Sequence, residues 1–219
     1  YPHLLAREAP FAVVSTGTWV ISMAIGGEEV QLDPARDTLI NVNAFGDPVP
    51  SARFMGGREY EMMMIGASVN SGMDDIEAVM KSGAMLLPSV EMRSGPFQGR
   101  RHRWTVDEAS LTGAQRHVAV SCYLALVTAV SLNMIGAKGP AFVEGPFAGN
   151  GIYCGMLAAA TGREVNAVAG TGTSIGAALL TSPRRSLPWQ DGLRSYDPKP
   201  VFTEYARRWN AELGGHRAR

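Results

Sequence analysis

Three short segments carry residues that could hold an anion or a nucleotide. The first is Ser15-Thr16-Gly17-Thr18, set between the apolar runs Phe11–Val14 and Trp19–Ile25. Three hydroxyls and a glycine have no packing value inside a strand. Glycine lets backbone approach a phosphate closely, and successive N–H groups with flanking hydroxyls can donate to its oxygens. The competing reading is a bulged strand or a tight turn. The second segment is Val143–Gly151, VEGPFAGNG, where an apolar strand runs into a small glycine-rich loop and Asn150 stands at a helix start. Ligands of open α/β sheets sit at such strand ends. Asn150 is either the helix N-cap or a ligand-binding amide. The third segment is Ala169–Leu180, AGTGTSIGAALL, with Gly170, Gly172 and Gly176 in a dinucleotide-like spacing. A dinucleotide fold needs a further strand ending in an acid. Here the chain runs into SPRRSLPWQDG, and Pro183 and Pro188 exclude a central strand. Close helix–strand packing with a start capped by Thr173 or Ser174 is favoured over a phosphate cradle.

Other chemistries find no support. There is no Walker A lysine, no G-x-S-x-G and no H-E-x-x-H. The four histidines, His3, His102, His117 and His216, have no metal-ligand spacing with each other or with the two cysteines. Cys122 and Cys154 lie in apolar helical patterns and read as buried free thiols of a reducing compartment.

Lys plus Arg and Asp plus Glu number 20 each, so charge gives no case for a nucleic-acid or membrane partner. The basic cluster Arg100-Arg101-His102-Arg103 reads as a solvated loop. No apolar run reads as a membrane span and no signal peptide is visible.

The elements that must position these segments follow from pattern. Phe11–Thr18, Trp19–Ile25 and Thr38–Phe45 read as strands, the last closed by GDPVP, which together suggest an antiparallel meander. REYEMMMIG and MDDIEAVMKSGAMLLP read as helices, the second with Asp74 and Asp75 in its first turn. Residues 88–103 read as a loop. In the long periodic run from Leu111, Val118, Cys122, Leu126 and Val130 repeat at a spacing of four, and Gly136 or Gly139 ends it. Strand, helix, strand and helix then follow, with one amphipathic helix, VFTEYARRWNAEL, in the tail. The order is that of a mixed α/β domain.

Taken together, the Thr-Gly-Thr turn between two strands, the long helix leading to AFVEGPFAGN, and GMLAAATGREVNAVAGTGTSIGAALL resemble the C-terminal half of the FGGY carbohydrate kinases. The resemblance spans about Tyr1 to Thr181, with Gly176-Ala177-Ala178 at the family's closing G-A-A. It implies a ribonuclease H-like actin/sugar-kinase ATPase domain, a mixed sheet with an antiparallel three-strand start flanked by helices. It divides the chain into a nucleotide-binding domain over 1–181 and a tail over 182–219. It implies that Thr16, Gly17 and Thr18 contact the terminal phosphates of ATP, and that Gly145 and Asn150 belong to the adenosine loop. Pro146 stands where the family has a second glycine and removes an N–H.

The implied reaction is transfer of the ATP terminal phosphate to a sugar or polyol hydroxyl in the cytoplasm, with Mg²⁺ on the phosphates. No catalytic residue is expected within this chain. The base, an Asp, is expected upstream of Tyr1, together with the sugar-binding N-terminal domain. The chain alone is then expected to be inactive, and its uncovered apolar face to favour self-association as a homodimer. Two other readings stand beside this one: a non-catalytic ATP-sensing domain of the same superfamily, and an NAD(P)-dependent oxidoreductase drawn from AGTGTSIG.

Overall fold

The computed structural model describes residues 2–67, 70–168, 172–181 and 194–214. A short helix α1 (Pro2–Ala6) leads into the hairpin β1 (Phe11–Thr16) and β2 (Val20–Ile25), which is followed by β3 (Thr38–Val42) and β4 (Pro48–Phe54). Helices α2 (Gly56–Met63) and α3 (Met73–Ser82) come next, then a small ribbon of β5 (Leu86–Leu87) and β6 (Arg103–Trp104). The long helix α4 (Gly113–Met134) precedes β7 (Ala141–Glu144), α5 (Gly151–Thr161), β8 (Val165–Ala167), α6 (Gly172–Thr181), β9 (Arg194–Tyr196) and α7 (Pro200–Gly214).

One sheet in the order β3-β4-β2-β1-β7-β8-β9 organises the described chain. β1, β7 and β8 run parallel, while β2, β4, β3 and β9 join antiparallel. The mixed α/β class and its antiparallel start are as expected, but that start holds four strands. GDPVP, expected to close the third strand, instead runs into β4 from Pro48, and β4 separates β3 from β2. Its prolines are tolerated because the pairing with β2 ends at Met23↔Ser51, one residue short of Pro50.

α4 is the centre of the core. It is buried along most of its length, and the expected spacing of four understates this: Val118, Cys122 and Leu126 are buried and Val130 partly so, and Ala119, Val120, Tyr123 and Leu124 between them are buried too. By length and hydropathy α4 could cross a bilayer, contrary to the expectation that no such run exists, yet 83% of its most apolar window is covered by the domain itself. The sheet lies on one side of it and α5 on another. A helix apolar all round is what burial on all sides requires. Thr112 caps its start in a reciprocal box with Gln115, and Gly136 takes the left-handed turn after its end.

The tail is part of this core. Trp209 and Tyr205 of α7 are buried and donate to the carbonyls of Leu86 and Ala84, at 2.8 and 2.7 Å. β9 extends the main sheet beside β8 and antiparallel to it. The parallel strand that a dinucleotide fold would place after α6 is therefore not formed by β9. Residues 169–171, the AGT of the third segment, lie outside the described residues, as does the side chain of Thr173.

Candidate nucleotide site

Two of the three segments meet. The β1–β2 turn and the β7–α5 loop stand side by side because β1 pairs with β7 in parallel, from Ala12↔Ala141 to Ser15↔Glu144. Both strands therefore end at the same edge of the sheet, where an open α/β sheet binds ligands. Between them opens a cleft of about 1010 Å³ whose lining includes Gly17, Thr18, Gly149 and Asn150. α2, the segment before α3 (Asn70 and Ser71) and the first turns of α4 close its other side.

The individual roles divide sharply. The Thr16 side chain does not reach the cleft: it is buried, its hydroxyl donates to the Glu144 carbonyl at 2.6 Å and it accepts the Phe147 N–H at 3.1 Å. Thr16 ties the two loops together. Gly145 lies beneath it with φ +83°, and a Cβ there would collide with the Thr16 carbonyl oxygen. Only glycine meets both conditions. Gly17 is the opposite case. A Cβ on it would meet nothing nearer than the Trp19 carbonyl at 3.9 Å, and Gly149 has nothing within 4 Å. These two glycines leave backbone open towards the cleft.

Asn150 acts as the cap. Its Oδ1 accepts the N–H groups of Ile152 and Tyr153, each at 3.1 Å, and its Nδ2 donates to Ser121 Oγ at 2.8 Å. Both ends of the amide are thus engaged within the protein, and Asn150 faces the cleft as an anchored wall. Pro146 begins a 3₁₀ turn, Pro146–Gly149. At that first position a missing N–H costs the turn nothing.

The sequence reading missed the third wall. Gly57 of α2 sits so close to the β1–β2 turn that a Cβ would collide with the Gly17 carbonyl. The doubled glycine Gly56-Gly57 at a helix start was the available signal. No side chain caps α2 at its N-terminus, so the N–H groups of its first turn remain a local positive pole at the cleft. Tyr60 and His117 also line it, with their rings 6.2 Å apart edge to face, and Tyr60 lies 5.8 Å from Phe147. His117 Nδ1 is 3.0 Å from Ser71 Oγ, and burial lowers its pKa, which favours a neutral ring at neutral pH. Neither aromatic position had a local motif to mark it.

Of the described lining residues, Glu61 alone is charged, and none is Lys or Arg. No group of His, Cys, Asp and Glu among the described residues could hold a metal. A phosphate chain in this cleft would be met by backbone dipoles, by hydroxyls and by any metal it carried itself. The cleft is large enough for a nucleotide, its two open glycines permit close approach, and the uncapped first turn of α2 borders it at Gly57, so these residues fit ATP. Cys122 and Cys154 are free and buried as expected, and desolvation pushes the Cys154 thiol up to about 12. The basic cluster is a loop that runs into β6: Arg103, the first residue of β6, pairs with Glu212 at 2.9 Å, and Arg100 lies over the Phe97 ring.

On the sheet's far face a second pocket of about 380 Å³ lies beside α1, where His3 Nε2 meets Glu144 Oε2 at 3.3 Å. Both residues are buried there.

Comparison with known proteins agrees with this fold. The model of the carbohydrate kinase FGGY C-terminal domain matches residues 8–188. A carbohydrate kinase from Novosphingobium aromaticivorans superposes with a TM-score of 0.83 at 32% identity, over 97% of this chain and 50% of that one. Xylulose kinase from Bifidobacterium adolescentis gives 0.64 at 18% identity, over 95% and 45%. Plasmodium falciparum glycerol kinase with ADP gives 0.65 at 13%, over 93% and 46%. At the identities of these last two the likeness is one of fold. A search of the curated proteins returns no match. The chain spans about half the length of the solved structures it matches. With a family model covering most of its length and a cleft built from two of the three segments that carried the resemblance, the chain belongs to the FGGY carbohydrate kinases, as their C-terminal domain.

Proposed function

We propose that this domain binds ATP in the cleft between the β1–β2 turn and the β7–α5 loop, as the nucleotide-binding half of a sugar or polyol kinase. The observation that carries the reading is the convergence of Gly17-Thr18 and Gly149-Asn150 on one cleft. In this reading the backbone of Gly17 and Thr18, with the Thr18 hydroxyl, takes the terminal phosphates, and the N-terminal turn of α2 adds its dipole. The adenosine lies along Gly145–Asn150, with the Tyr60 ring offering it an aromatic wall. Thr16 positions the turn without touching nucleotide. Mg²⁺, bound through the phosphate oxygens, would neutralise charge that the lining residues cannot.

The hydroxyl to be phosphorylated and the carboxylate that accepts its proton would come from the sugar-binding half, the part by which the matched kinases exceed this chain. The 219-residue chain alone is accordingly proposed to bind nucleotide without transferring phosphate. General-base catalysis is worth about 10²–10⁴-fold, and orientation of the acceptor is lost with it. The reading sets the protein in the cytoplasm, where ATP is supplied and free buried thiols such as Cys122 and Cys154 persist.

Calorimetric titration of the full-length protein with MgATP, MgADP and NAD tests the site. Binding of both adenine nucleotides, weakened by Gly17→Val, with no NAD binding, is the expected result. A folded protein that binds neither nucleotide would overturn it. A sugar and polyol panel assayed for ADP release separates a kinase from an ATP sensor, since a sensor would bind nucleotide and show no acceptor-dependent turnover.

A further inference from the structure

The β1–β2 turn is fixed at its two ends by different means. At one end Thr16 is held by the Glu144 carbonyl and the Phe147 N–H. At the other stands Trp19, directly after Thr18, and its restraint comes from the opposite face of the sheet. Val20 and Phe54 pair across the β2–β4 ladder and are buried in the core with the residues of α4. Side chains alternate along a strand, so the next pair, Ile21 and Arg53, stands on the other face. There the Arg53 guanidinium lies over the Trp19 ring, its carbon 5.1 Å from the ring centroid.

Arg53 is itself held. Its backbone N–H donates to the Asp37 carbonyl at 3.1 Å, and its Nε donates to Asp37 Oδ1 at 3.2 Å. Asp37 Oδ2 accepts the Gly95 N–H at 2.8 Å and the Gln98 side-chain amide at 3.3 Å. Both carboxylate oxygens are thus engaged, and the Asp37 side chain is 13% exposed while that of Arg53 is half exposed. Asp37 also has φ +57°, and among the described residues it is the one residue other than glycine with a positive φ. Such a backbone is unfavourable and persists where the surrounding contacts fix it. The neighbouring Arg36 ties the same two segments once more, donating from Nε to the Pro96 carbonyl at 3.0 Å. A chain of contacts therefore runs from residues 95–98 through Asp37 and Arg53 to Trp19 and the turn.

Neither Trp19 nor Arg53 is among the described residues that line the nucleotide cleft. Resting on the nucleotide reading above, we propose that Arg53 and Asp37 are positioning residues for phosphate binding, acting through Trp19. With Thr16 anchored on one side and Trp19 clamped on the other, Gly17 and Thr18 are presented to the phosphates in one arrangement before any ligand arrives. A site that need not reorganise binds charge more tightly than one that must. Arginine suits the clamp. Its planar guanidinium can lie on an indole face and keep a hydrogen bond to a carboxylate, which a compact lysine ammonium cannot match.

Calorimetry of the full-length protein with MgATP, and with AMP, which lacks the terminal phosphates, tests the clamp. Arg53→Ala should weaken MgATP binding about threefold to fivefold, the scale of one partly exposed cation–ring contact, and leave AMP binding unchanged. Asp37→Gly removes the carboxylate while easing the left-handed backbone, so it spares the fold and should give the same selective loss. Trp19→Leu should give it too. Adding Arg53→Ala to Trp19→Leu should then cost nothing further, because the arginine has no ring left to hold. A merely structural role would lower the affinity for both nucleotides alike, and that outcome would overturn the proposal, as would an unchanged MgATP affinity in Arg53→Ala. Additive losses in the double variant would overturn it as well, by showing that Arg53 acts independently of Trp19. A folded parent protein that binds neither nucleotide overturns the nucleotide reading itself and the positioning role with it, whereas the variant outcomes touch the positioning role alone.

Discussion

The two loops that wall the cleft look alike in sequence, each a glycine among small and hydroxylic residues, but they spend those residues differently. In the β7–α5 loop the conspicuous residues are turned inward: Gly145 accommodates the Thr16 carbonyl and Asn150 caps α5. In the β1–β2 turn only Thr16 is turned inward, and Gly17 opens on the cleft. The lesson concerns glycine. A positive φ with backbone packed against it marks a glycine needed by the fold, and an ordinary φ beside open space marks one whose missing side chain the packing does not require. The same division runs along α2. Glu59 is buried, accepting the Tyr123 hydroxyl and the Glu91 N–H, each at 2.9 Å, while Tyr60, the next residue, lines the cleft.

The strongest way to break this comparison is at Gly145. Gly145→Ala puts a Cβ into both a left-handed backbone and the Thr16 carbonyl, so a loss of at least about 3 kcal/mol is expected by denaturant unfolding. A variant as stable as the parent would mean that the loop is not locked.

Glu59 comes next. Its burial raises its pKa from 4.5 to about 7, against the opposing hydrogen bonds from Glu91 and Tyr123. The folded state therefore holds a proton that the unfolded state has released. The stabilisation is complete below pH 4.5 and is lost as pH rises through about 7. Glu59→Gln, neutral throughout, should flatten the decline in melting temperature over that window. An unchanged pH profile would show that the carboxyl is charged in the fold.

Thr16→Val removes one hydroxyl that serves two buried backbone groups. It should cost about 1–3 kcal/mol and should weaken nucleotide binding only as far as the turn shifts. Gly17→Val reverses that pattern. Stability should stay within about 0.5 kcal/mol, while MgATP affinity falls about tenfold, or 1.4 kcal/mol. Equal losses of stability in Gly145→Ala and Gly17→Val would erase the distinction between the glycines. The smallest effect belongs to Asn150→Ala, about 1 kcal/mol from the lost cap. Asn150→Asp should recover most of it, because a carboxylate still accepts from Ile152 and Tyr153. A large, selective fall in nucleotide affinity for Asn150→Asp would restore to Asn150 the role of a ligand-binding amide.

Much of this was legible from local pattern. The α4 start at Thr112, the left-handed ends at Gly136 and Gly162, the acids Asp74 and Asp75 opening α3, and the strand–loop–cap sequence around Asn150 all follow from short-range stereochemistry. β4 was not legible. Two prolines in seven residues argue against a strand unless it is known where the neighbouring strand stops, and that is a fact of pairing. The tail helix was recognised as amphipathic, but its burial of Trp209 against Leu86 joins residues 123 positions apart and leaves no local trace.

For the site, the sequence determined which residue types were present: glycines able to admit a phosphate, hydroxyls able to bind one and an amide able to cap a helix. The tertiary structure decided which of them were free to do so. The parallel pairing of β1 with β7 brings Thr16 and Gly145 into contact, and that contact consumes the hydroxyl of one and requires the other to be glycine. The same pairing leaves Gly17 open, while Tyr60 and His117 come to the cleft from helices with no motif of their own. Hydrogen-bonding capacity belongs to a residue and can be read from its letter. Whether that capacity is already used depends on neighbours distant in sequence, and only the packed fold supplies them.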